Sequence, residues 1–274
     1  MLPPPRLSVG PSGWDYPHWK GVVYPAHSSG RLHPLEYLSH HFDVVEIEIT
    51  FRQPLRAEVA RLWLAKVAHN PDFRFTAVLG RQFTHQRSLE PAQVARFKEG
   101  LWPLERARRF GCLVLQFPWA FRFTAENREF LIQLRRSFHE FPMAVEMKHR
   151  SWMAEEALGT LIDYRLGFVN IDQPDYASAM PPSALVTSGV AYVRLHGRDR
   201  NYWRREFAGQ KGLDDYLYSP AELAQWKERI NHVRAHADTT FVITANPAAG
   251  KSVINALQLD RLLGAGADSR ATAA

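Results

Sequence analysis

The chain has 274 residues, of which 46% are hydrophobic and 23% charged, a composition typical of a globular protein with a sizeable core. Its one cysteine, Cys112, excludes an intrachain disulfide and a zinc site built from several cysteines, and it indicates a reducing, cytoplasmic environment. The net charge of +6 and the sequence pI of about 9.5 favour phosphorylated or nucleic-acid partners, although a solvated arginine-rich surface gives the same values.

Eight short apolar runs, rich in β-branched or aromatic residues, predict strands along the chain. They are Arg6–Gly10, Asp43–Phe51, Phe73–Gly80, Cys112–Pro118, Met143–Lys148, Gly167–Asp172, Val190–His196 and Thr240–Asn246. Apolar residues at three- and four-residue spacing predict helices between most of them. These helices are Glu58–Ala68, Pro91–Phe110, Thr124–Phe138, Glu155–Tyr164, Pro220–His236 and Lys251–Leu263.

Strands that alternate with helices in this way predict an α/β protein with a parallel sheet. Eight of them fit a closed barrel better than an open sheet, and no glycine-rich dinucleotide motif follows the first strand. We therefore expect a single (β/α)8 TIM barrel over residues 1–264 and a disordered tail over residues 265–274. No apolar run approaches the ~18 residues of a membrane span, so no membrane association is expected.

Polar side chains interrupt several predicted strands near their C-terminal ends. In the second strand, Glu46, Glu48 and Thr50 share one parity and therefore one face. The fifth and seventh strands carry similar pairs, Glu146 with Lys148 and Arg194 with His196. The remaining polar strand ends are Gln116, Asn170, Asp172 and Asn246. Because barrel enzymes place their sites at this end of the strands, these groups predict a polar barrel mouth.

The charges at this mouth do not balance. The acids are Glu46, Glu48, Glu146 and Asp172, against Lys148, Arg194 and an undecided His196. Unpaired buried carboxylates are costly, so we expect a bound divalent metal ion, a carboxylate with a raised pKa, or an arginine from a loop. A salt-bridge network that fills the barrel is the structural alternative.

Further candidates lie in the loops that follow the strands. Trp14, Tyr16 and Trp19 form an aromatic cluster that would stack a planar ligand or pack as a lid. His85 and His149 follow strand ends, where each is either an acid/base group or a structural residue.

The segment Ala245–Ser252, ANPAAGKS, resembles a phosphate loop, but it lacks the first glycine, and Pro247 removes a backbone donor. A nucleotide triphosphatase is therefore rejected. Lys251 at the start of a helix still predicts either an anion site or a plain helix cap.

The segment Gly197–Gly212 predicts a basic loop over the site. It contains Arg198, Arg200, Arg204, Arg205 and Lys211, interleaved with Tyr202 and Trp203. Basic and aromatic residues together favour a phosphate or single-strand surface, and a solvated loop is the alternative. Cys112 begins a buried strand and is interpreted as a small core residue.

The motifs also resemble a known family, the YecE-like proteins of domain of unknown function 72, from Gly10 to about Leu263. The resemblance is carried by SGWDYPHWKGVVYP, VEIEITF, FTHQRSL, LVLQFPWAF, AVEMKHRSW, NIDQP, YVRLHGR and NALQL. It implies a TIM barrel without a settled activity.

The resemblance also implies a common site formed by Trp14, Tyr16, Glu46, Thr50, Phe51, Thr84, His85, Gln116, Glu146, His149, Trp152, Asp172, Arg194, His196 and Asn246. Against the usual pattern of the family, Glu48 replaces Asn, Arg52 replaces Tyr, Val78 replaces Lys, Thr244-Ala245 replaces Phe-Asn, and Lys148 replaces Arg.

The first functional hypothesis is an enzyme that acts on an anionic, phosphorylated or nucleotide-like substrate by acid/base or metal-assisted hydrolysis or isomerisation. Glu46, Glu146, Asp172 and His196 would be acid/base groups or metal ligands. Lys148 and Arg194 would hold the anion, while Trp14 and Trp203 would stack on the substrate. The alternatives are a nucleic-acid binder without catalysis and a vestigial barrel that serves as a scaffold. The oligomeric state is left open.

Overall fold

A computed structural model of the chain describes residues 6–26, 33–207 and 215–265. Its strands are β1 Arg6–Pro11, β2 Val44–Ile47, β3 Arg74–Val78, β4 Phe110–Gln116, β5 Met143–Glu146, β6 Gly167–Asp172, β7 Val190–Leu195 and β8 Thr239–Thr244. Its helices are α1 Pro34–Ser39, α2 Ala57–Lys66, α3 Arg81–Thr84, α4 Pro91–Arg106, α5 Ala125–Ser137, α6 Glu155–Asp163, α7 Arg200–Phe207, α8 Pro220–Arg234 and α9 Lys251–Leu263. Short 3-10 helices cover Pro17–Trp19, Ile49–Phe51, Arg150–Met153 and Ala248–Gly250.

The eight strands are all parallel and follow one another around the sheet from β2 to β8, with β1 beside β8. A parallel bridge joins Ser12 to Glu46, and the N–H of Gly13 donates to the carbonyl of Glu46 at 2.9 Å. These contacts bring the two ends of the sheet together between β1 and β2. The (β/α)8 barrel predicted from the sequence is confirmed.

Gly10 lies at this β1–β2 seam, where the two backbones approach closely. A Cβ at this position would overlap the carbonyl oxygen of Val44. Only glycine fits without a shift of one strand, so the closure of the barrel depends on this residue.

The register of the strands decides which side chains point into the barrel. Paired residues of adjacent parallel strands lie on the same face, and successive residues alternate between faces. Glu146 pairs with Gln116, and Arg194 pairs with Ile171. Asp172 instead pairs with Leu195, so it lies on the opposite face from Arg194, toward the helices.

The second strand is shorter than predicted. It ends at Ile47, Glu48 adopts helical dihedrals, and Ile49–Phe51 form a 3-10 turn. The Thr50 hydroxyl donates to the carbonyl of Ile47 at 2.8 Å, which offers the chain a local alternative to the sheet. The prediction that Glu48 and Thr50 continue the face of Glu46 is therefore wrong.

The region predicted as a basic loop contains helix α7. The carboxylate of Asp199 accepts from the N–H of Asn201 at 2.8 Å, as a residue at a helix start does. Trp203 on this helix is buried, with 1% of its surface exposed. Lys211 and Gly212 lie outside the described residues, as does the predicted tail from residue 266 onward.

Two of the predicted helices begin with side-chain caps. Ser219 and Glu222 form a reciprocal capping box at the start of α8, and the Thr124 hydroxyl accepts from the N–H of Asn127 at the start of α5. Over the three described ranges, no helix has both the length and the apolar character needed to cross a membrane.

Candidate functional site

The interior of the barrel mouth is built around one guanidinium group. Nη2 of Arg194 donates to Oε1 of Glu46 at 2.8 Å, and Nη1 donates to Oε2 of Glu146 at 2.8 Å and to Oε1 of Gln116 at 3.0 Å. Both carboxylates are fully buried and Arg194 is 4% exposed. Four strands, β2, β4, β5 and β7, thus meet at Arg194. The planar fork of an arginine suits this arrangement, since it can serve two carboxylates at once.

Glu46 is held by donors from three directions. Besides Arg194, the hydroxyl of Ser12 donates to Oε1 at 2.6 Å and the hydroxyl of Tyr192 donates to Oε2 at 2.8 Å. The Tyr192 hydroxyl also lies 2.9 Å from the hydroxyl of Thr76 on β3. Glu46 is therefore a structural anchor of the interior, with both its oxygens engaged.

Glu146 is paired with a histidine as well as with Arg194. Nε2 of His196 lies 3.1 Å from Oε1 of Glu146. Burial alone would raise the pKa of Glu146, but His196 and Arg194 outweigh it and hold the pKa well below its usual range. Glu146 consequently remains a carboxylate and has no proton to donate near neutral pH.

A cavity of about 250 Å³, here called the mouth cavity, opens above this interior. Its walls comprise Ser12, Tyr16, Glu48, Phe51, Arg52, Val78, Gln116, Lys148, Arg194, His196, Tyr202, Ala245 and Pro247. Glu46 and Glu146 lie behind Ser12, Arg194 and His196 and are not part of the wall. Glu46 and Glu146 were expected to contact a substrate directly. In the structure only their partners Ser12, Arg194 and His196 reach the cavity.

Asp172 does not belong to this group, and its predicted place at the mouth is corrected. Asp172 lies on the outer face of β6. Its Oδ1 and Oδ2 both accept from Nε of Arg198, at 3.1 and 2.9 Å. Nη1 of Arg198 continues to Glu222 of α8 at 3.0 Å. An arginine from a loop thus neutralises this carboxylate, one of the three arrangements expected from the sequence. Arg198 is engaged here and does not line the mouth cavity.

Lys148 and His196 are backed by an aromatic ring. Nζ of Lys148 lies 4.8 Å from the ring centre of Trp203, and the imidazole of His196 lies 5.6 Å from it, edge to face. Trp203 is too buried to stack on a ligand as predicted, and it packs behind these two residues instead. Its neighbour Tyr202 does line the cavity.

The aromatic cluster of the first loop divides in a similar way. Tyr16 lines the mouth cavity, and its hydroxyl donates to Oε2 of Glu48 at 2.7 Å. Burial, followed by the charge of Glu48, raises the pKa of Tyr16. Trp19 is fully buried and donates from Nε1 to the carbonyl of Pro247 at 2.7 Å, so it packs the loop onto the barrel.

Trp14 faces a second space, here called the outer cavity, with a volume of about 410 Å³. Its walls are Gly13, Trp14, Asp15, Tyr16, His33, Glu48, Ile49, Arg52 and Trp63. Trp14 and Trp63 meet edge to face, with ring centres 4.8 Å apart. Tyr16, Glu48 and Arg52 belong to both cavities and form the wall between them.

Several predicted binding residues have structural contacts away from the mouth cavity. Nδ1 of His149 accepts from the N–H of Ser151 at 3.1 Å, and Trp152 is fully buried with its Nε1 donating to the carbonyl of Phe121 at 2.8 Å. Nδ1 of His85 lies 2.9 Å from the hydroxyl of Thr84.

The two predicted binding residues of the eighth loop, Asn246 and Lys251, do not line the mouth cavity. Nδ2 of Asn246 donates to the carbonyl of Tyr216 at 2.6 Å and to Oδ1 of Asn255 at 3.0 Å. Lys251 forms an ion pair with Asp215. Asn246 and Lys251 therefore fasten the loop before α8 to α9.

Other residues of the site were not predicted. Ser12 and Pro247 line the cavity, and Tyr192 anchors Glu46. Tyr192 shares the strand parity of Arg194, and that signal could have identified it. Of the six departures from the family pattern, all but Thr244 line the mouth cavity, namely Glu48, Arg52, Val78, Lys148 and Ala245.

A metal ion fits this donor set poorly. Among the described residues, no three histidine, cysteine or carboxylate side chains converge as metal ligands. Glu46 and Glu146 face the cation of Arg194 instead. No step at this site is therefore assigned to a metal.

The chain is similar to known proteins over nearly its whole length. The family profile described as "Protein of unknown function DUF72" matches residues 8–274. The UPF0759 protein YunF of Bacillus subtilis (strain 168) is 24% identical over 272 residues, with 94% of each chain covered. A crystal structure of a DUF72 family protein from Thermotoga maritima MSB8 is similar with a TM-score of 0.81 and 30% identity, covering 94% of this chain and 99% of that one. Another, from Enterococcus faecalis V583, has a TM-score of 0.78 and 22% identity, covering 95% and 98%.

Proposed function

The chain belongs to DUF72, a family of proteins of unknown function, and we propose that its barrel mouth binds a small phosphate-bearing substrate and transforms it by acid–base catalysis. His196 exchanges the proton with the substrate or with an attacking water. Glu146 orients His196, and Lys148 and Arg52 bind the anion. The reaction class is hydrolysis or isomerisation, because both require a positioned group that takes up and returns a proton.

The observation that carries this proposal is the pair of His196 and Glu146 at the wall of the mouth cavity. Oε1 of Glu146 lies 3.1 Å from Nε2 of His196, and a carboxylate at this distance would stabilise the imidazolium that forms when the ring takes up a proton. The lowered pKa of Glu146 keeps that carboxylate charged throughout. His196 lines the cavity, whereas Glu146 does not, which supports a role for His196 as the base and for Glu146 as its partner.

Phosphate is favoured as the anion by the charges on the cavity wall. Lys148, Arg52 and Arg194 line it, with Glu48 as the acid among the described residues of the wall. Arg194 is shared by Glu46 and Glu146, and Lys148 and Arg52 add further positive charge to the wall that a ligand would meet. Cationic side chains in a partly enclosed cavity are the usual means of holding a phosphate group.

The test begins with binding. Inorganic phosphate is titrated into the protein by calorimetry, together with Lys148→Met and with Lys20→Met as the matched control at an exposed lysine outside the cavity. We expect Lys148→Met to weaken phosphate binding about ten-fold or more and Lys20→Met to leave it unchanged.

A panel of sugar and nucleoside phosphates is then followed for turnover. Release of inorganic phosphate identifies hydrolysis, and new carbon resonances without phosphate release identify isomerisation. Absence of phosphate binding in the unmodified protein, or equal binding by Lys148→Met, would contradict the proposal. Salt-dependent binding of nucleic acid that is unchanged by substitution of Lys148 or His196 would support the non-catalytic alternative.

A further inference from the structure

We infer that the outer cavity is the second half of one composite site and binds the planar ring of a phosphate monoester whose phosphate occupies the mouth cavity. A nucleoside 5′-monophosphate has this chemistry. The inference rests on the proposed function, because it takes the mouth cavity as the phosphate site.

The size of the mouth cavity is the first reason. Ligand sites usually measure about 300–1,000 Å³. At about 250 Å³ the mouth cavity accommodates a phosphate with a few further atoms. A larger ligand must extend beyond it, and the neighbouring outer cavity offers about 410 Å³.

The walls of the outer cavity fit a flat ring with polar edges. Trp14 and Trp63 present two indole rings set edge to face, and Ile49 adds an apolar side chain that is 42% exposed. An indole offers a ring both stacking and apolar contact. A ring bound in the outer cavity would cover part of this side chain and remove apolar surface from water.

The polar groups of the outer cavity differ from those of the mouth cavity. Asp15 is exposed at its rim, and Glu48 lies in the shared wall. Both carboxylates accept hydrogen bonds from amino and hydroxyl groups, which a nucleobase and a ribose carry. Burial, followed by the charge of Lys66, lowers the pKa of His33, so this residue is a neutral hydrogen-bonding group there.

The two cavities are adjacent, because Tyr16, Glu48 and Arg52 line both of them. Tyr16 donates to Glu48 at 2.7 Å, which fixes both side chains between the cavities. Arg52, which is exposed, lines both spaces. A ligand that spans the wall would therefore meet the guanidinium of Arg52 between its ring and its phosphate.

The inference is tested by calorimetry with three ligands of increasing size, which are inorganic phosphate, ribose 5-phosphate and adenosine 5′-monophosphate. Adenosine alone is titrated alongside them. The variant Ile49→Ser shortens an apolar wall of the outer cavity, and Ile162→Ser is its control at an exposed isoleucine of α6, 56% exposed, outside both cavities.

We expect adenosine 5′-monophosphate to bind about ten-fold or more tightly than ribose 5-phosphate. Ile49→Ser should weaken the nucleotide about five-fold, while ribose 5-phosphate stays within about two-fold of its original affinity. Ile162→Ser should change neither.

Equal affinities for ribose 5-phosphate and the nucleotide would overturn the inference and leave the proposed function standing. So would an Ile49→Ser variant that weakens both ligands to the same extent. If neither inorganic phosphate nor ribose 5-phosphate binds, the proposed function fails. Binding of adenosine in that case would show an isolated ring site, and the composite site would be rejected.

Discussion

Arg194 and Glu146 meet at 2.8 Å inside the barrel, although their strands β7 and β5 are separated by β6 in the sheet. The contact therefore crosses the barrel interior and does not join two neighbouring strands of the sheet. With Glu46 on the other prong of the guanidinium at 2.8 Å, and Gln116 beside Glu146, Arg194 links four strands. Removing one partner of such a buried set leaves another charge without compensation.

The first prediction concerns the fork of Arg194. Arg194→Lys keeps the charge but replaces the planar fork by a single ammonium, which cannot serve Glu46 and Glu146 at their present positions. We expect the free energy of unfolding in urea to fall by about 3 kcal/mol. Arg61→Lys, at an exposed ion pair with Glu58, should change it by less than about 0.5 kcal/mol. Equal effects of the two substitutions would contradict the structural role of Arg194.

The second prediction concerns pH and Glu146. Because its pKa in the folded protein is lowered, the unfolded chain binds a proton at Glu146 in a pH range where the folded chain does not, and stability there rises with pH. This contribution is complete above the ordinary glutamate pKa of about 4.3 and is lost as the pH falls from there toward the folded pKa.

Comparison of the original protein with Glu146→Gln isolates this contribution, since the other carboxylates are common to both. At pH 7 we expect Glu146→Gln to be less stable by about 2 kcal/mol in urea unfolding. Between pH 4.5 and pH 3 the difference should shrink steadily. A difference that stays constant with pH would show that the carboxylate is not held ionised by its partners.

The third prediction separates binding from chemistry at the mouth cavity. With a substrate found in the phosphate panel, His196→Asn should lower kcat by about 10²–10⁴-fold, because it removes the group that exchanges the proton. Inorganic phosphate should still bind within about three-fold of its original affinity, as Lys148 and Arg52 remain. His139→Asn, at an exposed histidine, is the control. A variant that loses phosphate affinity as much as kcat would assign His196 to anion binding.

The fourth prediction tests the seam at Gly10. Gly10→Ala places a methyl group on the carbonyl of Val44 and should cost about 2 kcal/mol or more in the free energy of unfolding. Gly159→Ala is the matched control, because a Cβ at this position inside helix α6 would meet no atom within 4 Å apart from its chain neighbours and the backbone of its own helix. It should raise stability by about 0.5–1 kcal/mol. Comparable losses at both positions would mean that the seam is not tightly packed.

The sequence was sufficient to predict the fold because the alternation of strand and helix signals is a local property. The bounds of β6, Gly167–Asp172, and of α9, Lys251–Leu263, were predicted to the residue. Strand parity also assigned Arg194 and Glu146 to the mouth, and the place of Gln116 at a strand end assigned it there too.

Predictions from strand parity failed in two situations. Either the strand ended early, or the sequence did not indicate which face of the strand points into the barrel. Glu48 left the face of Glu46 because the chain turned at Ile47. Asp172 was assigned to the wrong face, because parity groups residues on one strand without saying which group points inward. That choice depends on the register between strands, which is a tertiary property. The burial of Trp203 depends on how α7 packs and could not be read from its neighbours.

The contacts of Arg194 also have a consequence for folding during synthesis of the chain. Glu46 and Glu146 leave the ribosome before Arg194, which follows them by 148 and 48 residues. Until it arrives, burying the two carboxylates is costly, so we expect the first six strands of the nascent chain to stay unsealed with both acids in water. A chain truncated before residue 194 would therefore expose an unclosed six-stranded sheet to chaperones and proteases.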